Sequence, residues 1–191
     1  MIGGLPRAAR AEWQLTPLIG FTFKGDTTLV TETDEFTTAA SKPHWNFGGS
    51  VVLIGGWPVG VEALVLHTPG FLQQDLGVLR ASATTALMGN LVLATPRSWN
   101  QYGLRPFVSG GFGLLRTSAE DPPANLWEEP VNLLGYNVGG GAIGFITDRT
   151  GVRFDLRYFS HVRSGKELEG LSFGPVELKY WNAAVGFVIR Y

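Results

Sequence analysis

The chain closes on the stretch KYWNAAVGFVIRY, residues 179–191, and its pattern decides the fold class. Alternate residues form an almost wholly apolar row, and the residues between them are mostly small or polar. A period of two indicates a β-strand, because a helix would repeat its apolar positions about every 3.6 residues. The apolar row consists of Trp181, Ala183, Val185, Phe187, Ile189 and Tyr191. At ~3.3 Å per residue and a tilt of about 45°, this row rises roughly 23 Å, the height of the apolar band of a membrane barrel.

Composition favours one membrane-embedded domain. The 191 residues include 26 glycines and only 16% charged residues, whereas soluble domains carry about 25% charged residues. The formal charge of −1 gives no basic field for nucleic acid. The chain contains no cysteine, which excludes disulfides, thiolate metal sites and cysteine nucleophiles. No run of about 18 apolar residues is present, so we expect this chain to cross a membrane as a closed barrel.

The first eleven residues are treated separately from the barrel. Residues 1–11 contain arginines but no apolar segment of the kind that directs secretion. Ala9-Arg10-Ala11 has the small-x-small form of a signal-peptidase site, which predicts a mature protein beginning near Glu12. We therefore expect residues 1–11 to be a signal-peptide remnant or a simple N-terminal tail, and residues 12–191 to form a single transmembrane β-barrel domain.

Eight segments show strand-like alternation, and their connections alternate between long and short. The predicted strands are residues 13–24, 44–54, 59–67, 78–94, 104–117, 132–146, 152–162 and 179–191. The long connections are residues 25–43, 68–77, 118–131 and 163–176. An even strand number with long external loops and tight periplasmic turns is typical of outer-membrane barrels. The sequence therefore predicts an all-β, eight-stranded antiparallel transmembrane barrel with up-and-down meander order and both termini in the periplasm.

Several segments resemble the small OmpA-type barrels, also described as the outer membrane protein β-barrel domain family. The resembling segments are residues 13–23, 105–113, 136–141 and 151–158. The resemblance implies a barrel in the outer membrane of a Gram-negative-type bacterium, but it is specific for architecture and weak for activity. We expect a monomer with a structural or narrow-channel role of passive permeability and no enzyme activity. The resemblance also implies contacts with outer-membrane lipids and lipopolysaccharide, and recognition of the C-terminal strand, which ends in Tyr191, by the barrel-insertion machinery. We expect no cofactor and no nucleic-acid partner.

A group of charged residues is predicted inside the barrel. Arg153, Asp155 and Arg157 alternate with apolar residues, so the charges face the lumen if the apolar row faces lipid. Glu62 is predicted to join them, and Lys24 and Arg190 are further candidates near the lumen ends. Because eight strands leave an interior just wide enough for side chains, such charges must pair. They form either a polar core that holds the barrel shut or, as the OmpA-type resemblance implies, an ion-pair gate of a narrow pore.

Apolar residues are also predicted to face the lumen, and they support a second hypothesis. This set is Leu64, Leu66, Met88, Val92 and Leu115. An apolar lumen resembles the OmpW-type barrels that pass small hydrophobic molecules into the membrane. The alternative is a packed plug of side chains.

A lipid A-modifying enzyme is a third hypothesis. His161 and Ser164, with Glu167 and Glu169 nearby, resemble the catalytic residues of small outer-membrane lipid A deacylases. The spacing departs from that pattern, because residues three apart on a strand face opposite sides. Gly165 stands where the deacylases have asparagine. We therefore expect no catalytic site.

The remaining motifs have simpler interpretations. Trp13, Trp57, Trp181 and Tyr191 are predicted to form a lipid-facing aromatic girdle, with His67 at the interface rather than as a ligand. Gly139, Gly141 and Gly144 satisfy G-x-G-x-x-G without the βαβ context of a dinucleotide site. The acidic residues of the long connections are either solvated or collect divalent cations between lipopolysaccharides, and no metal-site motif is present. A soluble lipocalin-like barrel would need outward rows less uniformly apolar than those of this sequence.

Overall fold

The protein is an antiparallel β-barrel. The computed structural model describes residues 12–30, 36–40, 43–54, 58–70, 81–96, 103–120, 131–162 and 177–191. The strands are β1 (Glu12–Val30), β2 (Phe36–Ala40), β3 (His44–Ile54), β4 (Val59–Pro69), β5 (Ala81–Ala94), β6 (Leu104–Glu120), β7 (Val131–Phe145), β8 (Thr150–His161) and β9 (Glu177–Arg190). Among the described residues, no helix is long and apolar enough to cross a membrane.

Eight of these strands close into the barrel wall. From β3 to β9 each strand pairs with the next along the chain, and β1 pairs with both β3 and β9. This order confirms the predicted eight-stranded antiparallel barrel with meander topology. We call the end that carries both termini of the barrel the turn end, and the opposite end the loop end. At the turn end, Ile146 N–H donates to Thr150 O over 3.0 Å and closes the connection between β7 and β8.

The prediction of a plain loop over residues 25–43 is wrong. β1 continues to Val30 and pairs with β2, from Asp26 opposite Ala40 to Val30 opposite Phe36. β4 and β6 likewise extend beyond their predicted ends, to Pro69 and Glu120. β8 begins at Thr150, inside the predicted turn. The physical reason is that backbone pairing needs no apolar side chains, so a ladder can continue where the alternation that predicts strands has ended.

Side chains alternate between the two faces of the wall. On β4, odd-numbered residues from Val59 to Val65 are exposed and even-numbered residues from Gly60 to Thr68 are buried. The exposed row is apolar around the barrel, with Leu91 at 62% and Phe112 at 67% exposure. In water such a continuous apolar surface would be unstable, whereas hydrocarbon solvates it.

The interior has three layers. Along the inward row of β5, Met88 lies in an apolar cluster toward the loop end, Asn90 lies among polar side chains, and Val92 lies in an apolar cluster toward the turn end. The loop-end cluster contains Leu18, Leu64, Leu66, Ala86, Met88, Leu115, Leu133, Phe159, Leu178, Tyr180 and Ala184. The turn-end cluster contains Val52, Ile54, Val92, Ala94, Phe107, Ile143 and Val188. The candidate site is the polar layer between them.

Candidate functional site

Four charged side chains meet in the polar layer. Arg153, Asp155 and Arg157 point inward from β8 because they occupy alternate positions of one strand. Glu62 points inward from β4, which lies on the opposite wall of the barrel. None of the four is more than 6% exposed. Two carboxylates and two guanidinium groups give the layer no net charge.

The ion pairs form a closed circuit. The Nη2 atom of Arg153 lies 2.8 Å from Glu62 Oε1 and 2.7 Å from Asp155 Oδ2. The Nη2 atom of Arg157 lies 2.8 Å from Glu62 Oε2, and its Nε lies 2.7 Å from Asp155 Oδ1. Each acid therefore bridges both arginines, so that each charge is compensated where water is excluded. The two pairs to Glu62 cross the lumen and tie β4 to β8.

Neutral side chains complete the layer. Asn90 donates to Glu62 Oε2 over 2.9 Å, and its own Oδ1 accepts from Asn137 over 2.7 Å. Arg153 donates from Nη1 to Ser50 Oγ over 3.1 Å, and its guanidinium carbon lies 4.5 Å from the centre of the Phe107 ring. Asn90, Asn137, Ser50 and Phe107 were not predicted as site residues. Alternation places each of them on an inward row, which is the signal that could have found them.

Glycines give the layer its space. A Cβ at Gly139 would lie 2.7 Å from Arg157 Cα and 2.8 Å from its Cγ. A Cβ at Gly111 would lie 2.5 Å from Asn90 Oδ1. The G-x-G-x-x-G stretch of β7 therefore serves packing, since a larger residue at Gly139 would displace an arginine of the circuit.

The apolar layers on either side are packed. In the loop-end cluster, the rings of Phe159 and Tyr180 stack with centroids 5.0 Å apart and an interplanar angle of 9°. Next to Arg153 in the turn-end layer lies a cavity of about 10 Å³, which is room for about one water molecule. The predicted lumenal residues Leu64, Leu66, Met88, Val92 and Leu115 are all buried in these two clusters.

Arg190, one of the two further candidate charges, does not join the circuit. Arg190 lies at the turn end, where its Nη2 donates to the backbone carbonyl of Asp148 and its Nη1 lies 3.8 Å from Glu12 Oε2. The expectation that Arg190 contributes to the lumen charges is therefore wrong, because the end of β9 brings it to the connection between β7 and β8 instead. The side chain of Lys24 lies outside the described residues.

The described residues of the predicted girdle lie at both ends of the wall. Trp13 is 54% exposed and Tyr191 80% exposed at the turn end, where Tyr191 N–H donates to Trp13 O over 2.9 Å. Trp181 faces outward toward the loop end, with its ring centroid 5.4 Å from that of Tyr158. Trp57 lies outside the described residues. His67 also faces outward, with its ring centroid 5.3 Å from that of Phe47.

The residues of the enzyme hypothesis are only partly visible. His161 Nδ1 accepts a hydrogen bond from the backbone N–H of Leu178 over 3.2 Å. Ser164, Glu167 and Glu169 lie outside the described residues, as do the acidic residues from Glu32 to Glu35 and from Asp121 to Glu129. Within the described ranges, no three His, Asp or Glu residues are grouped closely enough to hold a metal ion.

Solved structures of small bacterial barrels share this architecture. Neisserial surface protein A superposes with a TM-score of 0.65 at 8% identity, covering 97% of this chain and 100% of that chain. The chain has the fold of a small outer-membrane barrel. OprG from Pseudomonas aeruginosa gives a TM-score of 0.62 at 11% identity, covering 96% of this chain and 97% of that chain. The N-terminal barrel domain of OprF from the same organism gives 0.54 at 15% identity, covering 94% and 97%. No family model and no curated protein matches the sequence.

Proposed function

We propose that this protein is an integral outer-membrane barrel with a structural role, whose lumen is closed by the ion-pair circuit. The observation that carries the proposal is the pair of contacts from Glu62 to Arg153 and Arg157, each 2.8 Å, across the barrel interior. These contacts fill the middle of the lumen, and apolar clusters cover them on both sides. Any passive permeability then depends on rearrangement of the circuit.

The membrane assignment is supported by the outer wall. Outward residues of the central band are apolar and exposed, among them Leu91, Phe112 and Phe154, and aromatic residues lie at both of its ends. A closed barrel satisfies its backbone hydrogen bonds within the sheet, as a bilayer requires. The short connection of residues 146–149 lies at the same end as both termini. Because tight turns of such barrels are periplasmic, we propose that both termini are periplasmic.

The carrier and enzyme alternatives receive less support. A carrier of small hydrophobic molecules needs an apolar cavity and a lateral exit, whereas the cavity beside Arg153 holds about 10 Å³. The outer wall has an open depression of about 400 Å³ at Gly89 and Gly110. Behind it the pairing of β4, β5 and β6 is continuous through Glu62, Asn90 and Gly111, so the ladder gives this depression no passage to the lumen. The enzyme hypothesis is weakened because the Nδ1 atom of His161 already accepts a hydrogen bond from the backbone N–H of Leu178.

Ion conductance in planar bilayers tests the closed lumen. The wild-type protein is compared with the double variant Arg153→Ala, Arg157→Ala, which removes both guanidinium groups and leaves two carboxylates. The variant Arg149→Ala serves as the matched control, because Arg149 is exposed at the turn end, in the connection between β7 and β8. Heat-dependent electrophoretic mobility verifies that each variant is folded before it is added to the bilayer.

The proposal expects rare and small openings from the wild-type protein and the control. The double variant should open more often and prefer cations, since two carboxylates remain in the pore. Large steady currents from the wild-type protein would overturn the closed lumen. A folded double variant as silent as the wild type would show that the apolar layers alone block the lumen, and would reject the role given to the ion pairs.

A further inference from the structure

A row of polar side chains crosses the outer wall toward the loop end. The register of the ladders places His67 opposite Thr85, Thr85 opposite Arg116, and Arg116 opposite Asn132. We call His67, Thr85, Arg116 and Asn132 the rim row. All four positions face outward, and His67 Nδ1 lies 2.9 Å from Thr85 Oγ1, which fixes the hydroxyl within the row.

The row next to it, toward the turn end, is entirely apolar. It consists of Val65, Leu87, Leu114 and Leu134, paired in the same way across β4 to β7. Over two residues along each strand, the outward side chains therefore change from aliphatic groups to groups that form hydrogen bonds. Such a step marks the depth at which bilayer hydrocarbon ends and lipid headgroups begin. The aromatic ring of Phe47, adjacent to His67, supports the same boundary.

Arg116 is the cation of the rim row, and it is exposed. Within the part of the chain that the structure describes, it has no ion-pair or hydrogen-bond partner. Arg190 at the turn end differs, because it lies 3.8 Å from Glu12 and donates to the Asp148 carbonyl. Groups of the barrel itself thus compensate Arg190, whereas Arg116 is presented to its surroundings.

We propose that Arg116, together with Thr85 and Asn132, binds the phosphate group of a lipid in the leaflet at the loop end. A guanidinium group pairs with phosphate through two parallel N–H···O bonds, and it does so more strongly at a partly dehydrated boundary. With His67 Nδ1–H donating to Thr85 Oγ1, the Thr85 hydroxyl can donate to the phosphate on one side of Arg116, and the Asn132 amide can donate on the other. The apolar row below receives the acyl chains of the same lipid. The occupant is therefore a phosphorylated lipid rather than free phosphate, which would gain nothing from the apolar row.

This inference goes beyond the closed lumen and requires only that the barrel is inserted in a membrane. It can be tested without a variant, by comparing two lipids. Bisphosphorylated lipid A, lipid A stripped of its phosphates, and inorganic phosphate are each titrated into the folded protein in detergent. Native mass spectrometry counts the molecules retained per barrel. Folding is verified separately by electrophoretic mobility, so failure to fold is distinguished from failure to bind.

The proposal expects the bisphosphorylated lipid to bind about tenfold more tightly than the phosphate-free lipid, with no competition from millimolar inorganic phosphate. Arg116→Gln should remove that difference, and Arg116→Lys should keep most of it. Arg149→Gln, which removes an exposed cation at the opposite end, should change nothing. Equal binding of both lipids to the wild-type protein would overturn the proposal, as would an unchanged preference in Arg116→Gln. Effective competition by inorganic phosphate would assign the site to the free anion instead.

Discussion

Glu62 and Arg157 stand on opposite walls of the barrel, and their Oε2 and Nη2 atoms lie 2.8 Å apart in its interior. Both side chains are almost completely removed from solvent, at 0% and 1% exposure. The contact joins two opposite walls of the eight-stranded barrel directly. The stability and the closure of the barrel are therefore expected to depend on the same pair.

Removal of Glu62 is expected to be costly. Glu62→Ala leaves two buried arginines with only Asp155 to compensate them, and breaking one side of a buried ion pair costs about 3–5 kcal/mol. Glu12→Ala is the control, because its 3.8 Å pair with Arg190 is at the rim, where such pairs contribute about 0–1 kcal/mol. Urea unfolding in lipid vesicles, followed by tryptophan fluorescence, measures both. Similar losses for the two variants would contradict the burial of the circuit.

The stacked rings of the loop-end cluster offer a second test. Phe159 is 0% exposed and stacks on Tyr180, so Phe159→Ala should leave a cavity and lower the unfolding free energy by about 3–5 kcal/mol. Phe154, five positions earlier on β8, is 60% exposed on the outer wall. Phe154→Ala should cost clearly less, because lipid fills the space that the ring leaves. Urea unfolding in lipid vesicles measures the unfolding free energy of both variants. Equal losses would mean that the interior is not packed as described.

Two glycines of neighbouring strands should respond differently to alanine. Gly111 faces inward, and a Cβ there would lie 2.7 Å from Asn90 Cα, so Gly111→Ala should destabilise the barrel by about 1–3 kcal/mol through overpacking. Gly89 faces outward, and its nearest neighbour for a Cβ is Phe112 O at 3.9 Å. Gly89→Ala should be neutral or stabilising by about 0.5–1 kcal/mol. Thermal unfolding of the two variants in detergent compares them, and a tolerant Gly111 would refute the proposed steric role.

The loss of stability caused by a charged side chain on the outer wall should depend on how deep in the bilayer that side chain lies. Leu91 lies in the middle of the apolar band with 62% exposure, and Leu104 lies at the turn end with 53% exposure. Leu91→Arg should reduce stability in the bilayer by about 2–4 kcal/mol, and Leu104→Arg by about 0–1 kcal/mol. Unfolding in vesicles gives both values. If the two arginines cost the same, the apolar band does not coincide with the hydrocarbon.

Much of this fold follows from alternation in the sequence. The alternation of charged and apolar residues predicts that Arg153, Asp155 and Arg157 point into the interior, because the residues between them suit lipid. It could not show which residues on other walls would meet them, since that depends on the stagger of strands around the barrel. For this reason the sequence does not identify Asn90 and Asn137 as members of the polar layer, although both lie on inward rows. Arg190 was misplaced because alternation gives the direction of a side chain but not its neighbours at a strand end.

The distribution of charge between the walls has a consequence for assembly. The inward row of β8 includes two arginines and one aspartate. On the inward row of β4, from Gly60 to Thr68, the one charged side chain is that of Glu62. Before the two walls meet, the hairpin that contains β8 therefore brings an excess of positive charge toward the bilayer. The hairpin that contains β4 brings an excess of negative charge. Both charges are unfavourable in hydrocarbon. The excess disappears only when β4 and β8 face each other in the closed ring. We therefore expect the ring to close before deep insertion, because an open intermediate would carry uncompensated charge into the membrane.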